Sequence, residues 1–191
     1  MKNILKLVLF SLAICCCSFA FAQDNYASTL KMGAFKLGQN LEQVEEILSK
    51  NISESEAKLY SENYEKWYRV THEGISYAMG FEIIYNENAS QDENDNAPKR
   101  YKLSRIKCKD DAIKTKSGIN IGMNKMQAFK ILDQLNIDYN YSKYSELDDN
   151  GKKNGIVHES ITITDEGRVL ELEMKAGEII NFILQYGGDG C

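Results

Sequence analysis

Two histidines, His72 and His158, are each followed by glutamate, and an imidazole beside a carboxylate is the smallest unit that could act as a general acid/base or begin a metal site. Neither dipeptide goes further. The second histidine that a zinc-protease helix places four residues on is missing from both, so a structural or surface histidine is the expected role. Asp92, Asn94 and Asn96 keep the two-residue rhythm of a calcium loop. However, Ala97 stands where the turn glycine belongs and Leu103 where the bidentate acid belongs, and Asp148-Asp149-Asn150-Gly151 fails the same spacing. No Gly-x-Ser-x-Gly, phosphate loop or dinucleotide fingerprint occurs. Paired acids such as Glu45-Glu46 lie on the polar side of an amphipathic stretch and read as a solvated face. The sequence therefore assigns no catalytic residue, no metal ligand and no cofactor.

Cysteine is the remaining nucleophile. Cys15, Cys16 and Cys17 fall inside Met1–Ala22, which has the form of a secretory signal: Lys2 and Lys6, an apolar run from Leu7, then Ala20-Phe21-Ala22 before Gln23. Cleavage after Ala22 is expected. A lipoprotein signal is the disfavoured rival, because Ile14, Cys15 or Cys16 stands before each cysteine where a small residue is wanted. Cys108 and Cys191 would remain in an exporting, disulfide-permissive compartment. A Cys108–Cys191 bridge is the expected pairing, with two free thiols and a frayed tail as the alternative.

The formal charge of −5 becomes more negative once Lys2 and Lys6 leave with the signal, and basic residues are scattered among acids. A net-acidic chain without a basic stripe argues against a nucleic-acid partner. A protein or cell-envelope partner is expected, in the periplasm or outside the cell, with no transmembrane helix after signal cleavage.

Aromatic residues carry the binding signal. Tyr60, Tyr64, Trp67 and Tyr68 cluster in the first half, and Tyr139, Tyr141 and Tyr144 occupy the corresponding region of the second. Tyrosine and tryptophan bring large contact area with few rotors to freeze, which suits a protein interface. The competing role for each is core filling between helix and sheet.

The elements that would position them occur twice. Leu37-Gly38-Gln39-Asn40-Leu41-Glu42-Gln43 and Ile121-Gly122-Met123-Asn124-Lys125-Met126-Gln127 align without a gap. Asn and the Gln three residues later form a capping-box pattern. Leu41, Val44, Ile47 and Leu48, and then Ala128, Ile131, Leu132 and Leu135, predict one apolar helical face in each copy. A second short helix is expected over Ser53–Tyr64, and a loop over Asn136–Asn154. Strand patterns follow in Trp67–Thr71, Ile75–Tyr85 and Tyr101–Cys108, and again in Gly155–Thr164, Arg168–Lys175 and Glu178–Tyr186. Thr71-His72-Glu73-Gly74 and Thr164-Asp165-Glu166-Gly167 mark matching hairpin turns. In Ile75–Tyr85 the large side chains alternate with Ser76, Ala78 and Gly80, a small side that invites close approach, most simply by a helix. The expected class is α+β: two tandem helix(-helix)-βββ units, an antiparallel sheet with helices on one face. The units are residues 34–110 and 111–191, after a signal peptide (1–22) and a lead-in segment (23–33).

A signal peptide followed by a duplicated Gly-x-Asn-x-x-Gln helix start and strand meander resembles the beta-lactamase inhibitor protein-like architecture and its single-unit SmpA/OmlA-type relatives. The resemblance implies a sheet whose open side binds a protein. It carries over no inhibitory residue. The expected function is a non-enzymatic protein-binding module, one version of it an inhibitor of a secreted hydrolase. The alternatives are an envelope-assembly accessory and a small hydrolase using His72 or His158.

Overall fold

The computed structural model describes residues 26–52, 57–59, 65–84, 100–147 and 151–187. The signal peptide, Cys191, Tyr60, Tyr64 and the first calcium-like loop lie outside them, as do Asp148, Asp149 and Asn150 of the second. In chain order the elements are β1 (Tyr26–Ala27), β2 (Lys31–Met32), β3 (Phe35–Lys36), α1 (Leu41–Leu48), β4 (Ala57–Leu59), β5 (Glu65–His72), β6 (Ile75–Ile84), β7 (Arg100–Cys108) and β8 (Lys114–Thr115). They continue with α2 (Lys125–Gln134), β9 (Asn140–Leu147), β10 (Lys153–Asp165), β11 (Arg168–Lys175) and β12 (Glu178–Tyr186).

The expectation of an α+β protein made of tandem helix(-helix)-βββ units is overturned. The molecule is mostly β, with two helices among the described residues. One eight-stranded sheet runs β4-β5-β6-β7-β12-β11-β10-β9, and a small sheet runs β3-β2-β1-β8. The two halves meet through antiparallel pairing of β12 with β7. Two stretches account for the difference. Ala57–Leu59, expected in a second helix, is a strand paired with β5. Asn140–Leu147, expected in a loop, is the edge strand β9, paired with β10 alone. All but one of its side chains are exposed, so it carries no apolar alternation from which a strand could be read. The lead-in segment likewise contributes β1 and β2, whose Ala27 and Met32 are buried.

The duplicated helix start does what its residues dictate. Asn40 accepts from the Gln43 N–H while Gln43 Oε1 accepts from the Asn40 N–H, at 2.8 and 2.9 Å. Asn124 and Gln127 make the same capping box on α2. Gly38 and Gly122 both take φ of 83°, which an L side chain resists. That conformation lets the segment before each helix pair with a strand. The Gly38 N–H donates to the Leu103 carbonyl of β7 and the Gly122 N–H to the Ile179 carbonyl of β12. Both matched hairpin turns hold two consecutive residues at positive φ, Glu73-Gly74 and Glu166-Gly167, the backbone a two-residue turn needs between right-twisted strands.

Alternation along each strand separates two faces. Tyr77, Met79, Phe81, Ile106, Leu172, Phe182 and Leu184 form one buried cluster with Val44 of α1, Ala128 and Leu132 of α2, and Phe35 of β3 in the small sheet. No described helix is long and apolar enough to cross a membrane.

Candidate functional site

Among the described residues, neither the helices nor the small sheet contributes to the opposite face of the large sheet, and its residues stand in cross-strand register. One row reads Arg69, Ala78, Lys107, Ile183, Glu171, Thr162, Asn140 from β5 to β9. A neighbouring row reads Trp67, Gly80, Arg105, Gln185, Val169, Thr164. Arg69, Arg105 and Lys107 therefore give the first half of the face a cationic excess, with Glu82 in phase with Gly80 and paired with Lys102 at 2.9 Å, and the acids Glu171 and Glu173 stand on the second. Ile183, 7 % exposed, lies between Lys107 and Glu171 and outside the main core cluster. Asn181 is 2 % exposed; its amide donates to Glu173, while its Oδ1 has no donor among the described residues.

An aromatic group marks each end of this face. Trp67 lies across Gly80, where an added Cβ would come within 3.1 Å of the indole ring. The small side of β6 thus accommodates an indole, not the helix expected there. The Arg105 guanidinium and the Lys107 ammonium lie 5.8 and 5.4 Å from the Trp67 ring centroid, within cation–π range. At the far end Tyr144, 60 % exposed, stacks on His158 at 4.9 Å. Leu147, Ile156 and Val157 are exposed on the same β9–β10 hairpin.

The structure divides the aromatic set. Trp67 and Tyr144 are on the open face, whereas Tyr68 is buried on the helix side against Phe81. Tyr139 stacks on Phe129 of α2 and donates to Asp133. Tyr141 is a clamp: its hydroxyl donates to Glu159 Oε1 at 2.6 Å, and its ring meets Phe129 edge-on.

Glu159 occupies a core-facing position on β10, in phase with Ile161, and is 5 % exposed. Lys125 of α2 donates to the same Oε1, and Lys143 lies 4.0 Å from Oε2. The Lys125 hydrogen bond, followed by that from Tyr141, holds the Glu159 carboxyl below the usual carboxylate range, and the Glu159 hydrogen bond raises Lys125 above the usual ammonium range. The cluster ties helix, edge strand and β10 together. Glu159→Gln will lower the thermal midpoint at neutral pH by several degrees, because Lys125 loses its counter-charge. The sign follows from linkage. A depressed carboxyl contributes fully above its unfolded value of about 4.3, and loses that contribution as pH falls through the folded value. Raised Lys125 contributes below about 10.4 and loses its contribution as pH rises through its folded value. The gap between wild-type and variant melting curves, followed by circular dichroism, should be widest between these limits and close on both sides. A gap independent of pH would remove the ion pair from the account.

Cys108 is buried; its Sγ donates to the Ser76 carbonyl and accepts from the Asp110 N–H. Burial pushes its thiol up to about 11, the opposite of an activated thiolate. Its expected partner Cys191 is outside the described residues. His72 Nε2 is 3.8 Å from Glu73, beyond hydrogen-bond reach, and its ring packs against Phe35. Neither histidine lines the cleft beside Tyr26 or the smaller one beside Ile52.

Sequence reasoning passed over Arg105, Lys107, Glu171, Glu173 and Asn181. They were legible only as the wet positions of alternating strands, and which of them are neighbours depends on register. Glu159 had a clearer signal: it falls in phase with Ile161 and Ile163, an acid at a core position. Comparison with protein-family models, with curated proteins and with solved structures gave no match.

Proposed function

We propose that the chain is an exported, non-enzymatic protein-binding module that presents the open face of its large sheet to a protein or cell-envelope partner. The observation that carries this reading is the pair of aromatic groups, Trp67 and Tyr144, at the two ends of a face with an excess of cations on one half and the acids Glu171 and Glu173 on the other. From β5 to β9 the face spans about 29 Å, and strands of some eight residues give it a length of about 26 Å. Those dimensions match the roughly 800 Å² that each partner contributes to a standard interface. A bipolar charge pattern fixes the orientation of a partner more than it raises affinity, while aromatic anchors supply affinity. Inhibition of a secreted hydrolase is the narrower version, drawn from the resemblance alone, and an envelope-assembly accessory is the alternative.

Affinity capture from the native envelope fraction, read by mass spectrometry, tests the proposal. Trp67→Ala with Tyr144→Ala should reduce recovery of the partner by about tenfold or more, as truncation of two anchors does. Tyr144→Ala alone, at an exposed position, should reduce recovery without moving the melting temperature. Equal recovery by wild type and both variants would reject the open face as the contact surface.

A further inference from the structure

The large sheet ends on two unlike edges. β4 at one end has three residues, whereas β9 at the other has eight, Asn140–Leu147, and among the described residues it pairs only with β10. Alternate residues of such a strand aim their N–H and C=O groups away from the sheet, and a free edge of this length is a template for one more strand. Proteins that keep an edge single shorten it, bend it with a bulge, or set proline or lysine along it. β9 has little of this. Its ladder with β10 is unbroken from Asn140 to Ser145, and the register shift beyond lies in β10, between Lys153 and Val157. The one proline of the chain is Pro98, and the one cation of the strand, Lys143, lies 4.0 Å from Glu159.

Water satisfies a bare backbone edge, so the edge alone names no occupant. The side chains do. Tyr141, Tyr144 and Leu147 are all exposed along β9, and Val157, opposite Ser145 on β10, extends the apolar strip. Their spacing is self-complementary. When two copies of β9 run antiparallel about a twofold axis normal to the sheet, opposed residues share a face, so the axis must pass through a residue and not between two. Two registers then pair seven residues of β9. One is centred on Lys143 and opposes the two lysines. The other is centred on Tyr144: it sets Tyr144 against its own copy, Tyr141 against Leu147, Ser142 against Glu146 and Lys143 against Ser145. In that register every exposed apolar side chain of β9 meets another, the cross-strand contact that stabilises a sheet.

We propose that two copies of this chain join edge to edge through β9, antiparallel and centred on Tyr144, so that two eight-stranded sheets become one. Tyr144 stays on the open face beside its counterpart, each ring backed by its own His158, and Tyr141 meets the second copy's Leu147 on the helix side. A ladder of this length, about 24 Å, buries on the order of 400 Å² per copy, half of a standard interface. The dimer is therefore a weak one, with a Kd on the order of 100 µM. Its formation needs no other protein, so it stands or falls separately from the contact proposed above.

Sedimentation equilibrium of the purified mature chain from about 10 µM to about 1 mM, with reductant present so that Cys191 cannot link copies, tests the assignment. Wild type should pass from monomer to dimer across this range and stop at two copies. Ser145 lies in phase with Tyr141, off the open face, and the twofold axis sets it opposite Lys143 at two places. Ser145→Lys creates two like-charge pairs and should weaken the dimer, whereas Ser145→Glu creates two opposite-charge pairs and should tighten it, each by about two- to thirtyfold. At concentrations where the chain is monomeric, both variants should melt with wild type, which separates the contact from folding. A wild type that stays monomeric throughout overturns the proposal and leaves the edge to a strand of another protein. Association that shifts the same way in both variants, or in neither, overturns the register and with it the proposal, as does growth beyond two copies.

Discussion

Leu184→Ala will destabilise the protein by about 2–5 kcal/mol, the range for removing a buried leucine side chain, and will shift the unfolding of both halves together. Leu184 is fully buried and stands at the seam, opposite Ile106 of β7 on one side and Leu170 of β11 on the other. Its loss opens a cavity between strands from the two halves. Trp67, the one tryptophan of the chain, reports on β5 in the first half. In denaturant titration its fluorescence and the far-ultraviolet circular dichroism should therefore coincide, and both midpoints should fall by the same amount. A Trp67 transition left in place while the dichroism moves would mean that the halves unfold as separate units and that the β7–β12 pairing does not couple them.

Gly33→Ala will cost about 2–5 kcal/mol through two separate effects. Gly33 is held at φ 60°, where alanine loses about 1–2 kcal/mol relative to its preferred backbone. An alanine Cβ would also lie 2.4 Å from the Tyr77 hydroxyl oxygen. Tyr77 is 2 % exposed and packed edge-on against Phe35 at 5.1 Å, so its ring can yield only by disturbing the core, an overpacking cost of about 1–3 kcal/mol. Adding Tyr77→Phe removes the clashing atom and should recover part of the loss, leaving the backbone cost. Chemical denaturation of the single and double variants measures both parts. A single variant within about 0.5 kcal/mol of wild type would mean that the Gly33 turn moves freely and does not lock the small sheet onto the large one.

Features fixed by local chemistry were readable in the sequence. Asn40 with Gln43 and Asn124 with Gln127 specify helix starts because cap and reach-back lie within one turn, and both capping boxes formed. The strands Arg168–Lys175 and Glu178–Tyr186 were delimited by their alternation and by the Glu166-Gly167 turn. Features fixed by partners distant in sequence were not. The edge strand β9 has solvent on most of its side chains and so no period-two signature, and Ala57–Leu59 joins the sheet through backbone pairing with β5. The expected tandem arrangement failed at those two places. The candidate site failed in the same way. Seven aromatic residues were grouped by proximity along the chain, yet strand parity sends Trp67 to the open face and Tyr68, its neighbour, to the core. Likewise Tyr141 faces Glu159 and α2 while Tyr144 faces the open side with His158. A one-residue change reverses the face, so a cluster in sequence is not a cluster in space.

Site-specific photo-crosslinking tests the central claim most directly. A photoreactive phenylalanine analogue in place of Trp67, Tyr144 or Met126 samples the two ends of the open face and, at Met126, an exposed position on α2 on the opposite side. In the native envelope fraction the open-face account predicts that positions 67 and 144 crosslink to the same protein and that position 126 does not. Crosslinking from position 126 alone, or equally from all three, would contradict it.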